Sequence, residues 1–79
     1  MKINVKIAKK EEIEKKISTE FIKLDSFLKL CDAVESGGFA KQVIQSKYVR
    51  VNGEICTVRG KKLRPGDKVE FDRKIYIVK

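Results

Sequence analysis

The first eight residues alternate in polarity, with Ile3, Val5 and Ile7 set against Lys2, Asn4 and Lys6. A period of two predicts a half-buried strand over residues 1–8. Residues 9–17 carry few apolar side chains. Glu11 and Lys15, like Glu12 and Lys16, stand one helical turn apart, so a short helix or an irregular connector with a solvated charged face is expected there. From Leu24 the spacing changes: Leu24, Phe27, Leu28, Cys31 and Val34 recur at helical intervals, predicting a first helix over residues 24–34. Asp25 or Ser26 near its start supplies an acceptor or a negative charge. Ser36 is a good N-cap for a second helix, which Gly37 and Gly38 open. Phe39, Ala40, Val43 and Ile44 form its expected buried side, with Lys41, Gln42 and Gln45 on or near the other. About two residues join the helices, so they should pack as a compact pair.

Beyond Ser46 and Lys47 the period returns to two. Val49 and Val51 should face the core, with Tyr48 and Arg50 pointing away. Asn52-Gly53 signals a type I′ hairpin, whose two-residue loop pairs Arg50 with Ile55 and Val49 with Cys56. Ile55 then shares a face with Arg50, so either that face is partly covered or the loop is longer. Arg59, Gly60, Lys61 and Lys62 make a basic loop. Arg64, Pro65, Gly66 and Asp67 make a turn, Pro65 setting φ and Gly66 allowing it to be positive. Residues 68–71 and 74–78 read as two closing strands joined tightly at Asp72 and Arg73. There is no internal repeat and no linker, so 79 residues are expected to form one domain.

Charge sharpens this outline. The chain carries +8, with 19 Lys and Arg against 11 Asp and Glu, and its pI of about 9.7 lies above the value of about 9 that flags nucleic-acid binders. Residues 41–68 hold eight cations and two acids, while residues 1–40 hold eight cations and seven acids. The positive field is therefore concentrated in the second half, as a phosphate-binding surface requires.

Chemistry is sparse. A domain this small buries roughly 60% of its unfolded surface and has little room for a deep catalytic cavity. It has no histidine, which removes the usual neutral-pH base and the commonest metal ligand. Cys31 and Cys56 form no CxxC pair and are read as two reduced, mostly buried thiols, with no metal site. Ser36-Gly37-Gly38 does not fit a phosphate-loop pattern and follows no strand. Asp25 and Asp32 sit on opposite sides of a short helix, and no nucleophile is organised with a base. The expectation is a non-enzyme without cofactors. With neither a signal-peptide core nor an apolar run long enough to span a membrane, the protein is expected to be cytoplasmic.

Lys2, Lys6, Lys15, Lys16 and Lys79 are assigned to solubility. Three cations around Gly60 beside a hairpin are different, because backbone and side chains can both approach phosphates. Lys41, Arg59 and Lys61 are candidate phosphate contacts, with Lys62 in the same loop and Arg50 within reach of the same groove. Tyr48 reads as a half-exposed strand aromatic, with stacking on a base as the alternative. Phe21, Phe27, Phe39 and Phe71 read as core.

Four pieces occur in order: Lys23-Leu24-Asp25-x-Phe27-Leu28, Ser36-Gly37-Gly38-x-Ala40-Lys41, Val49-x-Val51-Asn52-Gly53 and Leu63-x-Pro65-Gly66-Asp67-x-Val69. Together they resemble the S4 RNA-binding domain, and the small stand-alone bacterial members in particular, in which an S-G-G-x-A-K helix start and an R-G-x-K-L segment recur. The resemblance covers about residues 22–71, flanked by residues 1–21 and the strand at 74–78. It implies an α+β, αL-motif fold of two short packed helices against a small antiparallel sheet. It also implies non-catalytic binding of structured RNA, ribosomal RNA being favoured over tRNA, in association with the ribosome; no long exposed apolar helix calls for a dimer, so a monomer is expected. Lys23, Ser36, Gly37, Lys41, Arg50 and Asn52 inherit candidate RNA contacts. Gly38, Gln42, Lys47, Arg59, Lys61 and Lys62 complete the expected surface. Two positions depart from the family pattern: Gly37 stands where arginine is common, and Lys47 where glycine is common. An adaptor binding an acidic protein is the alternative. DNA is disfavoured because neither helix combines length with base-reading side chains.

Overall fold

The computed structural model describes residues 11–79; the strand expected over residues 1–8 lies outside them. Nine elements follow in order: β1 (Glu11–Lys15), β2 (Ile22–Lys23), α1 (Leu24–Leu30), α2 (Gly37–Gln45), β3 (Arg50–Val51), β4 (Glu54–Ile55), β5 (Lys62–Leu63), β6 (Lys68–Phe71) and β7 (Lys74–Val78). Five strands form a sheet in the order β1-β7-β6-β3-β4, and β2 pairs with β5 in a separate two-stranded ladder. The fold is the expected α+β arrangement. Its sheet is mixed rather than wholly antiparallel, because β1 runs parallel to β7.

β1 corrects the expected helix or connector. Its i,i+4 charge pairs are worth only a few tenths of a kcal/mol each. As a strand, the segment instead places Ile13 opposite the buried Tyr76 and gains a ladder with β7. The pairing runs on past the strand, where the Lys79 N–H donates to the Lys15 carbonyl at 3.0 Å.

α1 is shorter than its apolar spacing suggested. The Ala33 N–H donates to the Leu28 carbonyl and the Asp32 N–H to the Lys29 carbonyl, a Schellman ending that places Asp32 at φ 58°. Val34 is buried from the connecting segment rather than from the helix, and that connection is longer than the two residues expected. α2 begins as expected: Ser36 is extended, and its Oγ accepts the Phe39 N–H at 3.1 Å. It ends in a second Schellman motif. Tyr48 N–H reaches the Val43 carbonyl, Lys47 N–H reaches the Ile44 carbonyl, and Lys47 takes φ 70°.

One side of the sheet and the two helices share the core. Leu24, Phe27 and Leu28 of α1 and Ala40, Val43 and Ile44 of α2 meet Val49, Val51, Leu63, Val69, Tyr76 and Val78. Fully burying an aliphatic or aromatic side chain of this kind contributes about 1.5–3 kcal/mol. Phe39 was expected here and is instead 45% exposed. It lies on the rim of the buried stripe, lining a shallow cleft with Asp32, Ala33, Val34 and Glu35. Phe21 and Phe71 are half-buried.

Candidate nucleic-acid interface

The Asn52-Gly53 hairpin forms as predicted. Both residues have positive φ, 52° and 89°, and Arg50 pairs with Ile55 across a two-residue loop. Of the two possibilities left open by Ile55, the structure takes the tight loop, and Ile55 remains 49% exposed. On its other side Arg50 is in register with Glu70, so its charge is set beside an acid. Its Nη1 also lies 3.5 Å from the Gly53 carbonyl.

The Asn52 side chain is committed to the fold. Its Nδ2 donates to Asp67 Oδ1 at 3.1 Å, and its Oδ1 accepts the Lys68 N–H at 3.0 Å. The other Asp67 oxygen accepts the Arg64 N–H at 2.8 Å, closing the Pro65-Gly66 turn. One amide and one carboxylate thus lock two turns together. Asp67 is an organising residue that a reading focused on cations passed over; its place directly after Pro-Gly was the available signal.

The basic loop is equally well anchored. The Lys61 N–H donates to the Val58 carbonyl at 3.1 Å, making a tight turn with Arg59 and Gly60 at its centre. Two carbonyls of that loop take the place of a side-chain cap for α1: Leu24 N–H donates to Lys61 at 2.9 Å and Asp25 N–H to Arg59 at 3.1 Å. These satisfy two of the donors that a helix N-terminus leaves orphaned. Arg59 Nε sits 3.5 Å from Asp25 Oδ2, yet half of its side chain stays exposed. Asp25 therefore acts as an anchor for the loop.

Beside this turn, Lys23 and Lys62 lie directly opposite each other in the β2–β5 ladder, and both are exposed. Like charges in that position destabilise a strand pair. Lys62 gains some compensation by placing its Nζ 4.8 Å from the centroid of Phe21, a contact worth about 0.5–1 kcal/mol at an exposed site. Lys23, Arg59, Lys61 and Lys62 are thus brought together at one end of the molecule, with α1 held against them.

α2 supplies the remaining candidates. Gly37 and Gly38 expose the first two N–H groups of the helix, and among the described residues neither has an acceptor. A Cβ added at Gly37 would meet nothing within 4 Å, so the glycine is not required by packing. Lys41 and Gln42 are exposed one turn on, and Lys47 is exposed beyond the helix end.

Among the described residues no three His, Cys, Asp or Glu side chains group as metal ligands, and no described helix is long and apolar enough to cross a membrane. Cys31 and Cys56 are free and half-buried. Burial pushes the Cys31 thiol up to about 11, against a smaller opposing effect of Lys15, so it stays protonated at neutral pH. Burial likewise raises the Tyr76 phenol.

Comparison with known proteins decides the family. Residues 15–79 match the S4 domain. The chain belongs to the S4 domain family. Within it, the chain is 48% identical over 56 residues to a protein of Bacillus subtilis (strain 168) named "Probable ribosome maturation protein RlbA", the match covering 71% of this chain and 79% of that one. As an S4-domain protein, the chain is RNA-binding.

Proposed function

We propose that this S4-domain protein binds structured ribosomal RNA, or its precursor, in the cytoplasm during ribosome maturation, without catalysing a reaction. The observation that carries this reading is the cluster of Lys23, Arg59, Lys61 and Lys62 around a pinned turn. Opposed lysines cost the free protein stability, and phosphates between them would turn that repulsion into attraction. The α2 N-terminus, with the open N–H groups of Gly37 and Gly38 and with Lys41, offers a second anion-facing element. The B. subtilis relative's name points in the same direction. Lys23, Gly37, Gly38, Lys41, Gln42, Lys47, Arg59, Lys61 and Lys62 form the proposed contact surface. Ser36 and Asn52 support it from within the fold, and Arg50 contributes despite its acidic neighbour.

Salt titration of binding to purified ribosomal RNA tests the proposal. Log K should fall by about 0.7–0.9 per phosphate contact for each log unit of salt. Replacing Lys41, Lys61 and Lys62 with Ala should flatten the slope by about 2. An unchanged affinity in that triple variant would sink the surface. A protein partner that persists through nuclease treatment and is lost in the same variant would favour an acidic protein ligand instead.

A further inference from the structure

Among the described residues, Tyr48 is the most exposed of the large apolar side chains, at 69%. Among the described residues its ring and hydroxyl have no partner. Its backbone, by contrast, is held from both sides. The Tyr48 N–H closes the Schellman ending of α2 on the Val43 carbonyl at 3.0 Å. The next residue, Val49, is fully buried and accepts the Cys56 N–H at 3.0 Å. An unpartnered ring on a fixed backbone loses little freedom when a ligand covers it.

Its surroundings select the ligand. Lys47, immediately before it, is exposed in the left-handed region at φ 70°. Arg50 lies two residues on, at the start of β3, with the half-exposed Ile55 paired to it on one flank and Glu70 in register on the other. An exposed aromatic ring with a cation before it and another two residues after it in the chain matches a nucleotide, whose base stacks while its flanking phosphates meet the charges. A base within a continuous duplex offers no free face, so the ring calls for an unpaired one.

We infer that Tyr48 is a stacking platform for an unpaired base, so that the RNA bound here is a helix with a flanking single-stranded nucleotide. This rests on the RNA-binding reading and specifies the shape of its ligand. Lys47 is exposed immediately before Tyr48, and Arg50 follows with Glu70 only on its far flank; the two chain-neighbouring cations favour RNA over an apolar protein segment as the occupant.

Two probes test it: an RNA hairpin with a blunt stem, and the same hairpin with a 3′ single-stranded tail carrying 2-aminopurine at its first unpaired position. The protein should bind the tailed hairpin more tightly and quench its fluorescence. Tyr48→Ala should weaken tailed binding by about 5- to 150-fold, the range of one base–aromatic stack, and leave blunt binding unchanged. Tyr48→Phe should retain the preference, because it keeps the ring. The exposed position lets both variants fold, which thermal melting verifies. If Tyr48→Ala discriminates as wild type does, or Tyr48→Phe falls as far as Tyr48→Ala, the proposal is overturned. It is also overturned if Tyr48→Ala loses a nuclease-resistant protein partner while both RNAs bind normally. A wild type that binds neither hairpin nor ribosomal RNA would overturn the RNA reading itself. Loss of both probes in the Lys41, Lys61 and Lys62 variant with no effect of Tyr48→Ala would overturn stacking alone.

Discussion

Two surfaces of this domain carry charged residues and differ in what their neighbours do with them. On the open side of the sheet, Glu12 and Glu14 of β1 stand in register with Ile75 and Ile77 of β7, while Lys68 of β6 faces Ile77 from the other flank. Acids, bases and half-buried aliphatics are interspersed there, as on a solvated sheet face. At the β2–β5 end the signs are segregated. Lys23 faces Lys62, with Arg59 and Lys61 on the adjoining turn, and Asp25 is drawn into anchoring Arg59. A charge distribution serving stability alone would not place two lysines opposite each other. The contrast sets a face where the signs alternate against the β2–β5 end, the surface proposed to meet the RNA.

The largest expected effect comes from reversing charge on each surface in turn. Lys61→Glu with Lys62→Glu should weaken ribosomal RNA binding on the order of 100-fold at low salt, since two attractions become repulsions. Glu12→Lys with Glu14→Lys should change it by no more than about threefold, because these residues stand on the far edge strand, away from the β2–β5 cluster and three strands from Arg50, and act mainly through a screened long-range field. Filter binding at one fixed salt concentration compares them. Equal effects from the two pairs would mean that net charge, not placement, governs binding.

Asn52→Gly sharpens the boundary between supporting and contacting residues. Glycine keeps the φ of 52° available but loses the amide that ties the hairpin to Asp67 and Lys68. Two hydrogen bonds, one to a carboxylate, suggest a loss of about 2 kcal/mol in chemical denaturation. RNA affinity, measured where the variant is fully folded, should stay within about twofold, unless Asn52 also reaches the RNA.

That residue also shows how far the sequence could be read. The S4 pattern placed Asn52 on the binding surface, and Asn-Gly correctly set the turn and register. What escaped was its tie to Asp67, a partner 15 residues away that only the folded turns bring within reach. Local signals did well where a local cause acted: Ser36 capping α2, and Val49 and Val51 facing inward. They failed where a distant partner decided. β1 is a strand because β7 offers it a ladder, and α1 dispenses with a side-chain cap because the residue 59–61 loop supplies carbonyls. The cationic cluster was legible as composition, whereas the Lys23–Lys62 opposition that gives it meaning required the β2–β5 pairing.

Gly37→Arg is a gain-of-function test on the binding side. The position is open, with nothing within 4 Å of a new Cβ, and arginine is the better helix former by up to ~1 kcal/mol. A cation added beside the α2 N-terminus should strengthen ribosomal RNA binding by about 3- to 10-fold and steepen the salt slope by about 0.7–0.9, as one further phosphate contact would. Its unfavourable position relative to the helix dipole costs a few tenths of a kcal/mol and partly offsets the propensity gain. Stability without added affinity would place the α2 N-terminus outside the contact surface.

Lys47→Gly gives the smallest and most discriminating effect. At φ 70° a lysine is strained by roughly 1 kcal/mol. Glycine removes that strain, but it also frees the unfolded chain and deletes a favourable cation at the helix C-terminus. The net gain in stability should be about 0.5 kcal/mol or less. If Lys47 meets a phosphate beside Tyr48, the same variant should bind ribosomal RNA a few-fold more weakly, with a salt slope reduced by about 0.7–0.9. Stability and affinity then move in opposite directions, which is the signature of a residue held in an unfavourable conformation for its ligand. If instead stability rises and binding is untouched, the lysine belongs with the solvated charges of the open sheet face, and the cationic surface ends at α2.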